Sequence, residues 1–292
     1  MMILPTGTQY DISHGELTAV VTEVGATLRS LRIGGREVLW TYGADERPRG
    51  FAGATLAPWP NRVRDGVYRF DGATHQLPVN EPGFHTAIHG LLFDVPWRLT
   101  RRSDDALTLA AVVYPQVGWT GTLRVEQTFA LDDGGLRVSF TATNAGDQVL
   151  PFGYGAHPLF AFPDVSQVIL SLPFERQLRV DERLLPVEVA ELEPHYDFRD
   201  PRPIGELSFD TAFTAPSQSW QVRAAGPEHT ITVWADEAFR WVQLYTRPER
   251  GALAIEPMTC GPDAFNEGPT HADLLVLEPG ASASGAWGVR LA

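Results

Sequence analysis

Short segments in which hydrophobic and polar residues alternate recur along most of the chain. In residues 123–131 nearly every second side chain is apolar, and the alternation resumes in residues 136–140. A period of two places one set of side chains on a single face of a β-strand. Between the two runs, residues 132–135 are the turn formers Asp-Asp-Gly-Gly. We therefore predict an antiparallel hairpin with one buried face.

Other segments repeat this arrangement. Asp71-Gly72 follows an apolar run and has the composition of a two-residue hairpin turn. Trp287, Val289 and Leu291 alternate at the end of the chain, which predicts a strand tied into a sheet. Residues 173–203, rich in charge and proline, are the best candidate for a long excursion. No long helical pattern, repeat or low-complexity linker is evident. We predict an all-β, sandwich-like single domain over residues 1–292 with few short helices.

Composition supports a folded protein and removes several functions. The 292 residues are 43% hydrophobic and 20% charged, and they include 27 glycines and 23 prolines, which suits frequent turns. All 23 cationic side chains are arginine and the net charge is −13, without a cationic cluster, so we expect no nucleic acid partner. The lack of lysine excludes Schiff-base and P-loop lysine chemistry.

The single cysteine, Cys260, cannot form an internal disulfide. A lone cysteine is usually a small buried hydrophobe, so we disfavour it as a nucleophile. The first residues lack the pattern of a signal peptide, and no apolar run approaches the roughly 20 residues that span a membrane. We expect a soluble, cytoplasmic protein without a membrane partner.

The segment Pro-Phe-Gly-Tyr-Gly-Ala-His-Pro ends at His157 and Pro158. Read as a strand, it places Gly153, Gly155 and His157 on one face. Interior glycines often mark a bulge or a place where a ligand approaches the backbone, and the proline biases His157 towards an extended conformation. A catalytic histidine and a packed structural histidine are both consistent with this pattern.

A second segment surrounds Glu256. Leu253 and Ile255 are expected to face a core, which puts Ala254 and Glu256 on the opposite face of the strand. A carboxylate beside a small residue at a strand end suits a base that lines a cleft, although a solvent-facing glutamate fits the same pattern.

Polar groups elsewhere complete the candidate set. Arg62 follows Asn61, and its rigid fork of donors suits hydroxyl groups or anions. The spacing of His85 and His89 fits a metal pair only on a helix, which the preceding proline and glycine disfavour. Asp210 is either an acid that binds a polar ligand or a turn residue.

Together these segments resemble the aldose 1-epimerase (galactose mutarotase) family. The resemblance rests on motifs in the family's order: Asn61-Arg62, His89-Gly90, His157-Pro158 with Phe160, Asp210 with Phe213, and residues 255–259 continuing to Asp263-Ala264-Phe265-Asn266. It implies a galactose mutarotase-like β-supersandwich with an open sugar-binding cleft, no metal and no organic cofactor. The expected ligand is a small monosaccharide, and the expected assembly is a monomer or weak homodimer.

The resemblance also implies roles for the site residues. Glu256 looks like the family's general base, His157 like its general acid and His89 like the second active-site histidine. Arg62 and Asp210 look like groups that bind sugar oxygens, with Asn61 beside them as a binding residue. The implied activity is the interconversion of α and β anomers of a free aldose by acid/base ring opening.

Two departures from the family pattern bear on the substrate. Leu91-Leu92 and a later Trp97 follow His89-Gly90 where typical galactose mutarotases carry a second glycine, and residues 160–162 replace the usual Phe-Asn. These features are more similar to an aldose-epimerase-like subgroup that includes a sulfoquinovose mutarotase.

Three alternatives stay open at this point. A glycosidase could use the carboxylate pair Glu256 and Asp210. A non-catalytic carbohydrate-binding protein could hold a sugar in the same cleft and stack it on tryptophans, and a hexose-phosphate mutarotase needs extra arginines at the cleft. The candidates for these roles are Trp59, Trp119 and Trp241 for stacking, and Arg64, Arg247 and Arg250 for phosphate.

Overall fold

A computed structural model describes residues 3–214 and 219–291. Within these residues the structure contains strands and three single turns of 3-10 helix, at Val165–Gln167, Pro194–Tyr196 and His271–Asp273, but no α-helix. In chain order the strands are β1 (Gln9–His14), β2 (Leu17–Thr22), β3 (Leu28–Ile33), β4 (Arg36–Glu37), β5 (Thr55–Leu56), β6 (Arg62–Arg64), β7 (Val67–Phe70), β8 (Ala73–Gln76), β9 (Thr86–Ile88), β10 (Arg98–Arg102), β11 (Ala106–Val113), β12 (Leu123–Asp132), β13 (Gly135–Asn144), β14 (Leu150–Phe152), β15 (Gly155–Ala156), β16 (Leu159–Ala161), β17 (Ile169–Ser171), β18 (Arg176–Val180), β19 (Pro186–Glu191), β20 (Arg202–Pro203), β21 (Asp210–Thr214), β22 (Trp220–Ala225), β23 (Thr230–Ala235), β24 (Trp241–Thr246), β25 (Ala252–Met258), β26 (Leu275–Leu277) and β27 (Ser282–Leu291).

Two large antiparallel sheets dominate the fold. The nine-stranded sheet has the order β10-β11-β12-β13-β27-β23-β22-β17-β20. The eight-stranded sheet has the order β19-β18-β21-β24-β25-β15-β5, with β16 also paired to β25. A four-stranded sheet, β1-β2-β3-β4, and the two-stranded pairs β14-β26, β6-β9 and β7-β8 complete the fold. The all-β prediction is confirmed.

The alternating patterns form the strands that they predict. β12 and β13 pair along their length from Asp132↔Gly135 to Leu123↔Asn144, and β7 and β8 meet across Asp71-Gly72. The C-terminal alternation forms β27, which lies between β13 and β23 in the middle of the nine-stranded sheet. Inward residues of both large sheets, such as Phe129 and Ile255, belong to one hydrophobic core.

One expectation about the chain's organisation needs correction. Residues 173–203, expected to be a long excursion, are in part tied into the eight-stranded sheet, because β18 and β19 pair there as a hairpin at its edge. The register shifts between Arg179 and Val180, and a tight turn at residues 181–185 joins the two strands. This turn reaches the candidate site.

The glycine-bearing segment before His157 also differs from the expectation. It breaks into β14 and β15, and its bare face packs against protein. A Cβ atom on Gly153 would lie 2.4 Å from the Cys260 sulfur, and one on Gly155 would lie 2.7 Å from Cβ of Pro60. These glycines therefore admit neighbouring chain segments and do not open a path for ligand.

No helix in residues 3–214 or 219–291 is long and apolar enough to cross a membrane.

Candidate active site

A pocket of about 280 Å³ opens on the face of the eight-stranded sheet opposite the core. That face carries Glu256 because Leu253 and Ile255 of β25 lie in the core, which turns Ala254 and Glu256 outward, as the alternation predicts. The segments that precede β5, β6 and β9, together with the β18–β19 turn, form the walls of the pocket. The lining residues are Gly50, Phe51, Asn61, Arg62, Glu81, Phe84, Ile88, His89, His157, Leu184, Asp210, Gln243, Tyr245 and Glu256.

His157 and Glu256 face each other in this pocket. Nε2 of His157 lies 3.4 Å from Oε1 of Glu256, and both side chains are nearly fully buried. The His157 backbone is fixed on both sides, because its N–H donates to the Ala54 carbonyl and its C=O accepts from Gly53 N–H. Among the described residues, Oε2 of Glu256 and Nδ1 of His157 are buried without a hydrogen-bond partner. The site therefore holds two buried polar atoms whose hydrogen bonds no described side chain satisfies.

Burial determines the protonation of this pair. Desolvation raises the pKa of Glu256 well above its ordinary value, the negative charge of Asp210 raises it further, and Arg62 partly opposes both. Desolvation also lowers the pKa of His157 to about 4. Both shifts favour a neutral pair, with the proton on the carboxyl group. The charged pair, in which Glu256 is a carboxylate and His157 an imidazolium, holds the same number of protons as the neutral pair. Transfer of one proton from Glu256 to His157 converts the neutral pair into the charged pair.

His89 enters the site beside His157, with the two rings 5.5 Å apart and nearly perpendicular. It forms a reciprocal pair with Asn61: the backbone N–H of Asn61 donates to Nδ1 of His89 at 3.2 Å, and the backbone N–H of His89 donates to the Asn61 carbonyl at 2.9 Å. Burial and the neighbouring His157 lower the pKa of His89 well below its ordinary value. Because Nδ1 accepts, neutral His89 carries its proton on Nε2 and acts as a donor.

Arg62 is held in place before any ligand binds. Its Nε and Nη2 atoms donate to the two carboxylate oxygens of Glu81 at 2.8 and 2.9 Å. The guanidinium group also lies over the Phe84 ring, 5.0 Å from its centre. A bidentate pair of this kind fixes the orientation of the arginine fork and leaves its remaining nitrogen as a donor.

Asp210 and Gln243 form the opposite side of the pocket. Nε2 of Gln243 donates to Oδ1 of Asp210 at 2.7 Å, and Gln243 is the cross-strand partner of Glu256. Burial raises the pKa of Asp210, while Arg62 and the Gln243 hydrogen bond lower it in part. All six residues predicted from the sequence, Asn61, Arg62, His89, His157, Asp210 and Glu256, therefore line one pocket.

A family model for aldose 1-epimerase matches residues 8–287. The chain belongs to the aldose 1-epimerase family. Within its curated relatives, it is 31% identical to the uncharacterised protein YihR of Escherichia coli K12 across 94% of this chain and 90% of YihR. It is 29% identical to human galactose mutarotase across 53% of this chain and 47% of that protein.

Solved structures show the same fold as this aldose 1-epimerase family chain. A galactose mutarotase-like protein from Clostridium acetobutylicum superposes with a TM-score of 0.86 over 97% of this chain and 94% of its own, at 16% identity. An aldose epimerase homologue from Caenorhabditis elegans has a TM-score of 0.86 over 98% of both chains, at 17% identity.

Part of the family motif lies outside the pocket in this aldose 1-epimerase relative. The carboxylate of Asp263 accepts from the backbone N–H of Arg64 at 2.8 Å and from the side chain of Asn266 at 2.9 Å. The N–H of Asp263 donates to the Arg62 carbonyl at 2.7 Å. These bonds attach the loop after β25 to β6, which carries Arg62, so this end of the motif positions the site.

Sequence reasoning missed several lining residues. Glu81, Phe51, Phe84 and Leu184 lie on turns and loops without a recognisable local pattern. Gln243 had a signal, because it is a polar residue within the apolar run of β24. A polar side chain in a buried strand needs a partner, and Gln243 finds Asp210.

The residues required by two alternatives lie elsewhere. Trp59, Trp119 and Trp241 are at most 2% exposed, so none offers a face for stacking on a sugar, and the aromatic lining comes from Phe51, Phe84 and Tyr245. Arg64 pairs with Asp263, Arg247 lies over Trp40, and Arg250 binds loop carbonyls, which leaves Arg62 as the only arginine among the described lining residues.

Two candidate groups remain, the pair of histidines His85 and His89 and the single cysteine Cys260. Thr86–Ile88, between the two histidines of the metal-pair spacing, forms β9 and not a helix. His85 is bonded to Asp65 at 3.1 Å, and unlike His89 it is not among the lining residues of the pocket. Cys260 is buried, as expected for a packed cysteine, and desolvation is the main cause that raises the pKa of its thiol to about 12.

Proposed function

We propose that this protein is a mutarotase that interconverts the anomers of a free aldose, with Glu256 as the base and His157 as the acid. The observation that carries the proposal is the 3.4 Å approach of His157 Nε2 to Glu256 Oε1 in a buried, polar pocket. Opening a hemiacetal requires removal of the proton from the anomeric hydroxyl and delivery of a proton to the ring oxygen. One acid and one base held side by side supply both transfers.

Burial of the pair favours the product side of the ring-opening step. Glu256 takes the hydroxyl proton while the imidazolium of His157 gives one to the ring oxygen, so ring opening converts a buried ion pair into a neutral pair. Burial favours the neutral pair, as the pKa shifts of both groups indicate. The environment thus assists formation of the open aldehyde. After rotation about the C1–C2 bond, the reverse transfers close the other anomer.

Substrate hydroxyl groups prepare the reactive state of the pair. Oε2 of Glu256 is buried and has no partner among the described residues, so a sugar hydroxyl that donates to it stabilises the carboxylate. His89 Nε2–H and the remaining nitrogen of Arg62 are donors for sugar oxygens, and the Asp210 carboxylate is an acceptor for a hydroxyl group. A free aldose offers donors and acceptors for each of these groups.

Anomer exchange measured by proton NMR tests the proposal. Catalysed and spontaneous rates are compared for glucose, galactose, a hexose 6-phosphate and sulfoquinovose, with the protein at one pH throughout. We expect acceleration for at least one of these sugars, and the rate ranking then identifies the substrate class. No acceleration with any of them overturns the proposal and favours a sugar-binding relative without this activity.

A further inference from the structure

One wall of the pocket is built from two loops. Phe84 lies in the loop between β8 and β9, and Leu184 lies in the turn between β18 and β19. Both side chains line the pocket, although they are remote in the sequence. The two loops lie outside the strands of the eight-stranded sheet, so contacts other than the backbone hydrogen bonds between those strands must hold this wall together.

The side chain of Arg183 joins the two loops. Its Nε donates to the Phe84 carbonyl at 3.0 Å, and its Nη2 donates to the His85 carbonyl at 3.1 Å and to the Asp65 carboxylate at 2.7 Å. We call these three contacts the Arg183 latch. Within the described residues, no other hydrogen bond connects the β18–β19 turn with the Phe84 loop.

The β18–β19 turn holds the backbone of Arg183 in place. In the β18–β19 turn, Oδ1 of Asp181 accepts the backbone N–H groups of Arg183 and Leu185, each at 2.9 Å. The Arg183 side chain is one-third exposed, so the ion pair with Asp65 contributes little alone, and the geometry comes from several directed bonds to one planar group. The latch therefore sets how far Leu184 stands from Phe84.

We propose that Arg183 is a specificity-determining residue that keeps this wall closed and restricts the pocket to a single sugar ring. The inference rests on the proposed mutarotase function. The pocket of about 280 Å³ lies below the usual range of about 300–1,000 Å³ for small-molecule sites. A reducing disaccharide presents the same anomeric centre but needs room for a second ring, and it requires the two loops to separate.

The test compares a hexose with a disaccharide that ends in the same hexose: glucose with maltose, and galactose with galactobiose. The ratio of kcat/KM for the disaccharide to that for the hexose is measured for the wild type and for Arg183→Ala. Arg179→Ala is the matched control, because Arg179 lies on β18 and forms only exposed ion pairs with Glu188 and Glu193. A ratio cancels any general loss of activity.

We expect the ratio to rise at least about tenfold in Arg183→Ala and to stay at the wild-type value in Arg179→Ala. If Arg183→Ala does not fold, Arg183→Met decides, because methionine keeps a flexible unbranched stem and removes every donor of the latch. An unchanged ratio overturns this inference alone, as does a wild-type protein that exchanges disaccharides as fast as hexoses. A wild type that exchanges no sugar overturns the proposed function and this inference with it.

Discussion

Among single residues, Glu256 and His157 carry the chemical step of the proposed reaction. We expect Glu256→Gln and His157→Gln each to lower kcat at least about 10²-fold with little change in KM, because each removes a proton transfer and leaves most sugar contacts in place. Glu126→Gln, which changes an ordinary carboxylate on β12, is the control. Near wild-type exchange in either site variant contradicts the assignment. NMR anomer exchange measures all three.

Glu256 also makes a prediction about stability. Its pKa is raised on folding, so its favourable contribution is complete below its ordinary value of 4.5 and is lost as the pH rises towards the folded-state pKa. Glutamine has the same shape and stays neutral. We expect Glu256→Gln to be more stable than the wild type at pH 8 and to lose that advantage near pH 4. Thermal unfolding across this range measures it, and an advantage independent of pH disproves the burial argument.

Some site residues could be predicted from the sequence and others could not. Glu256 and His157 stand next to small residues and prolines in alternating segments, and they carry the family motif. Glu81 had no local signal, because its role comes from Arg62, which lies 19 residues earlier and meets it through the folded chain. Charge pairing across loops is a property of tertiary structure, which local periodicity does not encode.

At the scale of elements, the loop after β25 is predicted to hold β6 in position. Asp263→Ala removes the acceptor of the Arg64 backbone N–H and one of the two acceptors of the Asn266 side chain, which keeps its bond to the Val67 carbonyl. The unpaired Arg64 N–H, together with the strain of alanine at a backbone φ of 57°, costs about 1–3 kcal/mol. We expect a loss of this size in chemical denaturation and also a higher KM, since β6 carries Arg62.

Arg64→Ala provides the control for that loss. It removes the half-exposed ion pair with Asp263 but keeps the backbone N–H, so about 0–1 kcal/mol is expected. Equal losses in the two variants show that the ion pair, and not the backbone attachment, holds the loop.

The strands themselves were predicted better than their pairing in the sheets. The β7–β8 and β12–β13 hairpins follow from the period of two and from turn residues, because both signals are local. The position of β27 between β13 and β23 pairs residues such as Leu136 and Val289, which are remote in the chain. The β18–β19 hairpin was missed because its charged and proline-rich sequence suits an edge strand as well as a loop.

At the scale of the whole molecule, a series of buried side-chain hydrogen bonds links the two large sheets. The Tyr154 hydroxyl donates to Oε1 of Gln127 at 2.7 Å, and Nε2 of Gln127 donates to the Thr55 hydroxyl at 2.9 Å. Gln127 lies on β12 of the nine-stranded sheet, and Thr55 lies on β5 beside Ala156. This series of hydrogen bonds crosses the core and ends next to the segment that carries His157.

We expect Gln127→Met to lower the free energy of unfolding by about 1–3 kcal/mol, because it leaves the buried Tyr154 hydroxyl proton without an acceptor and removes a donor to the Thr55 hydroxyl, which keeps its bond to the Ala26 carbonyl. Thr128→Val, one residue along β12 and on its other face, removes only the half-buried hydrogen bond to Thr108 and is expected to cost about 1 kcal/mol or less. Urea denaturation compares them. Equal losses argue against a special role for this series of hydrogen bonds.

In the proposed reaction the protein opens the sugar ring between C1 and the ring oxygen, with Glu256 as base and His157 as acid. The most direct test is to run anomer exchange in water enriched in oxygen-18 and to measure the isotope at C1 by NMR and mass spectrometry. Ring opening keeps the original anomeric oxygen through many exchanges, so we predict fast exchange without label above the spontaneous control. Uptake of label in step with exchange shows that the C1–O1 bond breaks, as in a glycosidase, and contradicts the account.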